Sequence, residues 1–141
     1  FATRRLKLTS EELGRAGERI VALSLRRRSM RILGSRVATP FGEIDLVALD
    51  GETLVCIEVK SGRTRIPLDE FGNQTSPKAR ASWRPGHRFR LEDYGRVQRA
   101  SHWLARRFGQ GGEPRPARVD LCELLIEDRP QVRLGSFIIL T

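Results

Sequence analysis

An α/β fold is predicted, in the order helix, three strands, helix, two strands. Three observations carry it. Thr9, followed by Glu12, forms a capping signal ahead of an amphipathic stretch. The dipeptide Asp50-Gly51 stands between two apolar runs. A second amphipathic stretch opens near Asp93 and precedes two further apolar segments. With 141 residues, 39% of them hydrophobic, the chain suits one domain over residues 1–141 with a core of its own.

Residues 1–8 are a basic, unpatterned tail. From the Thr9 cap a helix is expected to about Arg28, with Leu13, Gly17, Ile20, Val21 and Ser24 as its apolar or small stripe. Glu18 lies on the border of that stripe, at the rim of whatever the helix covers. Arg26, Arg27 and Arg28 close the helix, where cations complement its dipole. A strand follows over about 30–38, ended by Pro40. Next comes a hairpin whose turn residues are expected to be Asp50 and Gly51, pairing Leu49 with Glu52, Val47 with Leu54 and Asp45 with Cys56. Residues 61–92 show no periodicity and read as a long basic loop. Asp93 is expected to cap the second helix, with Tyr94, Val97, Ala100, Leu104 and Phe108 on one face and Gly109 at its end. Residues 111–116 form a linker. Strands are expected over 117–126 and 132–140, joined by a turn through Asp128, Arg129 and Pro130.

The charge balance narrows the partner. Lys and Arg number 26 against 17 Asp and Glu, a formal net charge of +9. Such a field favours a polyanion. There is no long apolar span and no basic amphipathic helix with large hydrophobes, so nucleic acid is expected and a membrane is not. An Arg-rich composition inherited from a GC-rich genome is the bland alternative. Cys56 and Cys122 both fall inside expected strands without metal-ligand spacing, and read as small buried hydrophobes in a reducing, cytoplasmic compartment. His87 and His102 have no ligand spacing to each other, which argues against zinc.

The hairpin carries the chemistry. Alternation puts Asp45, Cys56, Glu58 and Lys60 on one face, together with Val47, Leu49 and Leu54, and Ile44, Leu46, Val55, Ile57 and Val59 on the other. Asp45 and Glu58 are then diagonal neighbours, roughly 7–8 Å apart at the backbone. Carboxylates at the end of a hairpin that is otherwise apolar on both faces point to a site. A solvated polar face is the structural alternative. Phosphodiester hydrolysis needs an activated water, neutralisation of the phosphate and help for the leaving oxygen. Hard divalent cations held by oxygen ligands supply much of this. Asp45 and Glu58 would hold Mg²⁺ or Mn²⁺, with the Val59 carbonyl as a further ligand. Lys60 would orient or deprotonate the water and stabilise the developing charge. Glu18 could complete the metal shell, directly or through water. Glu43 shares the face and sits opposite Glu58 in the simple pairing, either as a further acid or as the sign of a bulge.

These residues carry a resemblance. Gly17-Glu18-Arg19, the run from Phe41 through Gly42-Glu43-Ile44-Asp45 to Leu46-Val47, and Ile57-Glu58-Val59-Lys60 resemble the YraN-like bacterial family of the PD-(D/E)XK, restriction-endonuclease-like nucleases. The same acid and Glu-x-Lys layout is similar to that of archaeal Holliday-junction resolvases. The resemblance is specific over residues 14–62 and looser over 93–108 and 118–120. It implies an αβββαβ core with a central mixed sheet flanked by helices. It also implies Asp45 and Glu58 as metal carboxylates, Lys60 as catalytic lysine and Glu18 as the helix acid. The family's basic helix start appears here as Tyr94-Gly95-Arg96-Val97-Gln98-Arg99, with arginine where lysine is more usual.

In the long loop, Lys78, Arg80, Trp83, Arg84, His87, Arg88, Phe89 and Arg90 interleave cations with aromatics, a pattern that suits phosphate contacts and base stacking. Its structural alternative is a loop with Trp83 and Phe89 tucked onto the core. Trp103 is expected to pack at the core or its rim. Arg84, Arg88, Arg90, Arg96 and Gln98 are the expected nucleic-acid contacts. The expected function is therefore a Mg²⁺- or Mn²⁺-dependent DNA endonuclease, with branched or flapped DNA as the candidate substrate and DNA favoured over RNA. A homodimer is considered because symmetric cutting needs paired sites. The alternatives are a nuclease-fold protein that holds nucleic acid in recombination, repair or uptake without cutting it, and a basic protein that binds structured RNA.

Overall fold

The computed structural model describes residues 9–64, 89–127 and 132–140, with the backbone alone at 10, 63–64, 125–127 and 132–140. The Thr9 hydroxyl accepts the Glu12 backbone N–H at 3.2 Å and the Glu12 carboxylate accepts the Thr9 N–H at 3.4 Å. This reciprocal cap starts α1 (Ser10–Arg27). Five strands follow as β1 (Arg31–Thr39), β2 (Gly42–Asp50), β3 (Thr53–Thr64), β4 (Ala117–Glu127) and β5 (Val132–Leu140), with α2 (Leu91–Arg107) between β3 and β4. They form one sheet in sequence order, with β3–β4 parallel and every other pair antiparallel. Tight turns suffice for the antiparallel neighbours, whereas the parallel pair requires a crossover, which includes α2. The result is the expected α/β architecture with a central mixed sheet between helices.

Each helix covers one face. Val21 and Leu25 of α1 pack with Leu46, Ala48, Val55, Ile57 and Cys122. Val97, Ala100, Leu104 and Ala105 of α2 pack with Val47, Leu54, Cys56 and Val119. The β2–β3 hairpin is thus apolar on both sides because it is the middle layer. Gly17 sets how closely α1 approaches: a Cβ there would collide with the Ser61 side chain and lie 3.2 Å from Leu124 Cδ2. The burial of α1 is centred on Gly17, Val21 and Leu25, with Ile20, Leu13 and Ser24 only half-buried.

Four expectations need correction. The hairpin turn is centred on Gly51 and Glu52, with Asp50 paired to Thr53. Gly51 alone takes positive φ, 58°, at the first central position, where type II′ turns place glycine. Leu49 therefore meets Leu54 and Val47 meets Cys56, two β3 residues further along than expected, which preserves the faces. The expected loop over 61–92 is shorter at both ends: β3 runs on to Thr64, held by the ladder to β4, and Leu91 and Glu92 are already helical. Asp93 is the third residue of α2, not its cap, and accepts the Arg90 N–H at 2.9 Å. Phe108 follows the helix at its C-cap and is 41% exposed, while Ser101 and Ala105 are buried in its stead. Trp103 does pack against the core, with the Arg107 guanidinium 4.7 Å from its ring centre.

The turn is tied to β4 by charge. Arg118 grips the fully buried Asp120, Nε to Oδ1 at 3.1 Å, and reaches Asp50 Oδ2 at 2.8 Å. Asp50 serves the hairpin as this ion-pair partner instead of as a central turn residue. Arg118→Ala would leave the Asp120 charge buried and unpaired, and is expected to cost about 3 kcal/mol or more. Asp50→Ala removes only the half-exposed arm and is expected to cost about 1 kcal/mol or less. Urea denaturation of both variants checks the ranking, and equal losses would refute it.

Candidate active site

β2 separates from β3 after the pair Leu46 and Ile57, whereas its ladder with β1 continues to Thr39 and Gly42. A fork opens between the strands, and Asp45 stands in it. Its Oδ2 accepts the Val59 backbone N–H at 2.8 Å, so a side chain takes over from the ladder where the ladder stops. Across on β1, Arg36 adopts a left-handed φ of 49° between the paired residues Ser35 and Val37. The distortion also breaks side-chain alternation. Ile44 joins Val47 in the cluster under α2 instead of lying with Leu46 on the α1 face, as strict alternation requires.

The shifted register brings the acids together. The pairing of Leu46 with Ile57 leaves Asp45 and Glu58 as the next residues on their strands where the ladder ends, and the Asp45 charge is felt at Glu58. The same shift moves Glu43 away from Glu58 and beyond the end of the ladder, where it is exposed. Glu43 still influences the site electrostatically, raising the pKa of both Asp45 and Glu18.

Glu58 is 4% exposed, and its Oε1 is buried without a hydrogen-bond partner. Its Oε2 lies 3.8 Å from Arg96 Nη2. Burial, and then the Asp45 charge, push the Glu58 carboxyl up to about 7, against the opposing pull of Arg96, Lys60 and the Asp45 backbone. Burial likewise raises Asp45, with the Val59 N–H and Lys60 acting against it. Glu18 projects from α1 and bonds Arg36 Nε at 3.2 Å. Burial raises its pKa above the ordinary value, with the Asp45 charge adding to this and the Arg36 bond opposing it. Asp45, Glu58, Lys60 and Glu18, singled out from the sequence on separate elements, thus form one electrostatically coupled group.

Other expected contacts fall differently. Arg84 and Arg88 lie outside the described residues. Arg90 is exposed at the start of α2, and Gln98 is exposed on it. Arg96 turns inward: besides Glu58, its Nη1 donates to the Glu43 carbonyl at 3.2 Å and to the Phe41 carbonyl at 3.5 Å. It closes the fork from the α2 side. Two participants went unrecognised in the sequence. Arg36 was hidden because a kinked strand, not a motif, delivers it to Glu18. Glu123, 3% exposed, stands beside Lys60 in the parallel β3–β4 register. Its signal was an acid inside the apolar run Leu121-Cys122-Glu123-Leu124-Leu125, which gains meaning only from the pairing.

The donor set has the chemistry of an open cation site. Among the described residues no group of three or more acidic, histidine or cysteine side chains is placed to hold a metal ion by itself. Mg²⁺ commonly takes one or two carboxylates and completes its shell with water and substrate oxygens. A buried, unpartnered Glu58 oxygen on a carboxyl that feels the Asp45 charge fits that description. No described helix is long and apolar enough to cross a membrane.

A family model for the uncharacterised protein family UPF0102 matches residues 17–124. A UPF0102 protein of Symbiobacterium thermophilum is 36% identical over 126 residues, covering 89% of this chain and 90% of the relative. Relatives from Erythrobacter litoralis and Renibacterium salmoninarum are each 52% identical, over 60 and 56 residues, 43% and 40% of this chain. The chain spans about half the length of these two, 52% and 48%. The chain belongs to the UPF0102 family, the YraN-like group of the restriction-endonuclease-like superfamily.

The raised Glu58 pKa makes stability depend on pH. Folded protein holds this proton from about pH 4.5 to about 7, where the unfolded chain has already released it. The stabilisation is therefore full below pH 4.5 and is lost as pH rises through 7, a change of roughly 3 kcal/mol. Urea midpoints measured without divalent metal are expected to fall from pH 5 to pH 8 in the wild type and to fall much less in Glu58→Gln. Parallel pH profiles would show that Glu58 is not the titrating group.

Proposed function

We propose that this UPF0102 chain is a Mg²⁺- or Mn²⁺-dependent DNA endonuclease whose reacting phosphate lies in the β2–β3 fork. The observation that carries this reading is the pairing of the half-buried Asp45 carboxylate with the buried Glu58 carboxylate, one oxygen of which has no partner, beside the Lys60 ammonium. A divalent cation held by Asp45, Glu58 and the Val59 carbonyl would neutralise phosphate charge and acidify water.

The chain's own residues divide the remaining work. Val59 N–H fixes the Asp45 carboxylate, so one of its oxygens is committed to the backbone and its orientation is set. Lys60, next to both acids, orients the attacking water and stabilises the charge that develops on phosphorus oxygens. Water adds to phosphorus, its proton passes to a basic group or to solvent, and the departing sugar oxygen leaves as an alcohol after protonation. Arg96 holds the Glu58 carboxylate in place, and Glu123 stands opposite Lys60 in the β3–β4 register. Glu18 extends the acidic group on the α1 side, where it can hold a shell water.

A second reading, nucleic-acid binding without cleavage, is favoured by the net charge of +9, which attracts a polyanion whether or not it is cut. It predicts salt-sensitive binding that needs no metal and yields no products. Purified protein incubated with junction, flap, single-stranded and duplex DNA separates the two. Metal-dependent products are expected, with Asp45→Ala and Lys60→Ala slowing cleavage by about 10²–10³. Both variants are expected to bind DNA as the wild type does in Ca²⁺. Cleavage that survives either substitution would mean the site is wrongly assigned, and no cleavage by the wild type under any metal would favour the binding module.

A further inference from the structure

A groove of about 600 Å³ runs between α1 and β1, next to the fork but not part of it. Arg15, Arg19, Ala22 and Arg26 line it from α1, and Ile32, Ser35 and Arg36 are among those lining it from β1. The spacing of the α1 residues, four, three and four, sets them on one face of the helix. From Arg15 to Arg26 this face extends roughly 16 Å at the helical rise. Its basic residues have unequal commitments. Arg15 is paired with Glu11 at 2.8 Å, and Arg36 with Glu18. Arg19 and Arg26 are exposed and make no ion pair among the described residues.

The groove meets the fork at Glu18, which lines it and also feels the Asp45 charge. Arg26 lies roughly 12 Å further along α1 from Glu18, about two turns. A strand with one phosphate at the acids would therefore carry its next few phosphates past Arg19 and Arg26. Between the arginines the bed is apolar, formed by Ala22, Ile32 and the buried Leu46. A duplex presents phosphates outward and keeps its bases stacked inside, so it has no use for a recessed apolar bed. A single strand presents both phosphates and bare base faces, which a charged groove with an apolar floor accepts. A free phosphate or nucleotide would leave most of the row of cations unused.

We infer that the α1–β1 groove binds a single-stranded segment of nucleic acid and leads it to or from the fork, so that the substrate is a flap, a tail or an opened junction arm. This rests on the nuclease reading for the destination of the strand, not for its binding. Flaps and tails of up to about five nucleotides would fill the groove, taking the strand rise of about 3.4 Å as the lower spacing.

The test is fluorescence anisotropy of the full chain with a labelled mixed-sequence 12-mer, single-stranded or as a duplex, in Ca²⁺ across a salt series. Arg19→Gln with Arg26→Gln is expected to weaken single-strand binding at least tenfold. It should also reduce the slope of log affinity against log salt by about 1.4, two contacts at 0.7 each. Duplex binding should change much less. Ser35→Glu, an exposed change on the opposite wall, is expected to weaken single-strand binding as well and guards against an α1-specific folding defect. Unchanged single-strand affinity, or equal loss for single strand and duplex, would overturn the inference. So would polyglutamate of similar length competing as well as the oligonucleotide, because the occupant would then be an acidic peptide. The two readings fail separately. Loss of binding in the arginine variant together with no cleavage by the wild type would leave the groove standing and remove the nuclease. Cleavage of a flap at wild-type rates by the arginine variant would do the reverse.

Discussion

The site depends on one hydrogen bond, from the Val59 N–H to the Asp45 carboxylate. An antiparallel ladder that ends inside a protein leaves backbone groups unsatisfied, and an unpartnered buried N–H costs about 1–3 kcal/mol. Asp45 supplies the missing acceptor from a side chain, which lets β2 leave β3 while the Val59 N–H stays bonded. That permits the fork. The fork in turn admits Glu18 and Arg36 from the α1 side and Arg96 from the α2 side to a space that a continuous ladder would have filled. The same carboxylate thus opens the site and belongs to it. Asparagine at 45 could preserve the bond to Val59 while removing the charge, so the structural and electrostatic roles are separable in principle.

Burying Asp45 and Glu58 side by side is unfavourable in itself. Like charges oppose each other's ionisation, and burial opposes both. The protein answers with Lys60 and Arg96, yet Glu58 remains pushed up to about 7, so the compensation is incomplete. A fold selected for stability alone would place a leucine there, as Leu54 and Cys56 on the same face show. Local consistency fails at functional positions and is preserved elsewhere. The contrast with Asp120 is instructive. It is equally buried, but Arg118 meets it at 3.1 Å through a hydrogen-bonded contact, and Asp50 completes a closed group at the turn. Asp120 is a satisfied acid with a structural task, whereas Glu58 has an open oxygen.

Element order, the capping box at Thr9 and the apolar faces of the hairpin were legible in the sequence, because each depends on local chemistry. What escaped depended on pairing. Asp50-Gly51 was a sound local signal for a turn, but the centre lies one residue later, on Gly51 and Glu52, since Asp50 is engaged by Arg118 from β4. A shift of two in register keeps Val47, Leu49, Leu54 and Cys56 on their expected face, whereas Ile44 lies on the face opposite to the expected one, where the neighbouring β1 is distorted at Arg36. The far end of β3 carries no strand pattern of its own, because residues 61–64 gain their strand character from β4, more than fifty residues away in sequence. Glu123 and Arg36 were invisible for the same reason: neither belongs to a motif, and each becomes relevant through a partner on another strand or helix.

The strong positive charge also needs to be read residue by residue. Arg96, Arg115 and Arg118 are held by internal carbonyls and carboxylates, and so contribute to architecture more than to a surface field. Arg36 neutralises Glu18. Subtracting such pairs leaves a smaller set of cations available to a polyanion, and among the described residues Arg19 and Arg26 belong to it on α1. Net charge alone indicates that an anion is attracted, but not where it lies, because a guanidinium bonded to a carbonyl in a fork cannot also grip a phosphate in the same geometry. Direction comes from the uncommitted cations. Among the described residues, Arg19 and Arg26 lie along one face of α1 that leads to the acids, so the charge that attracts a nucleic acid and the charge that repels its phosphates meet at Glu18. A strand can approach the acids only if the cations along the line outweigh that repulsion, or if a divalent cation relieves it locally. This makes the groove and the fork parts of one electrostatic arrangement, in which the arginines bring the strand near and the metal, on the proposed reading, allows its phosphate in.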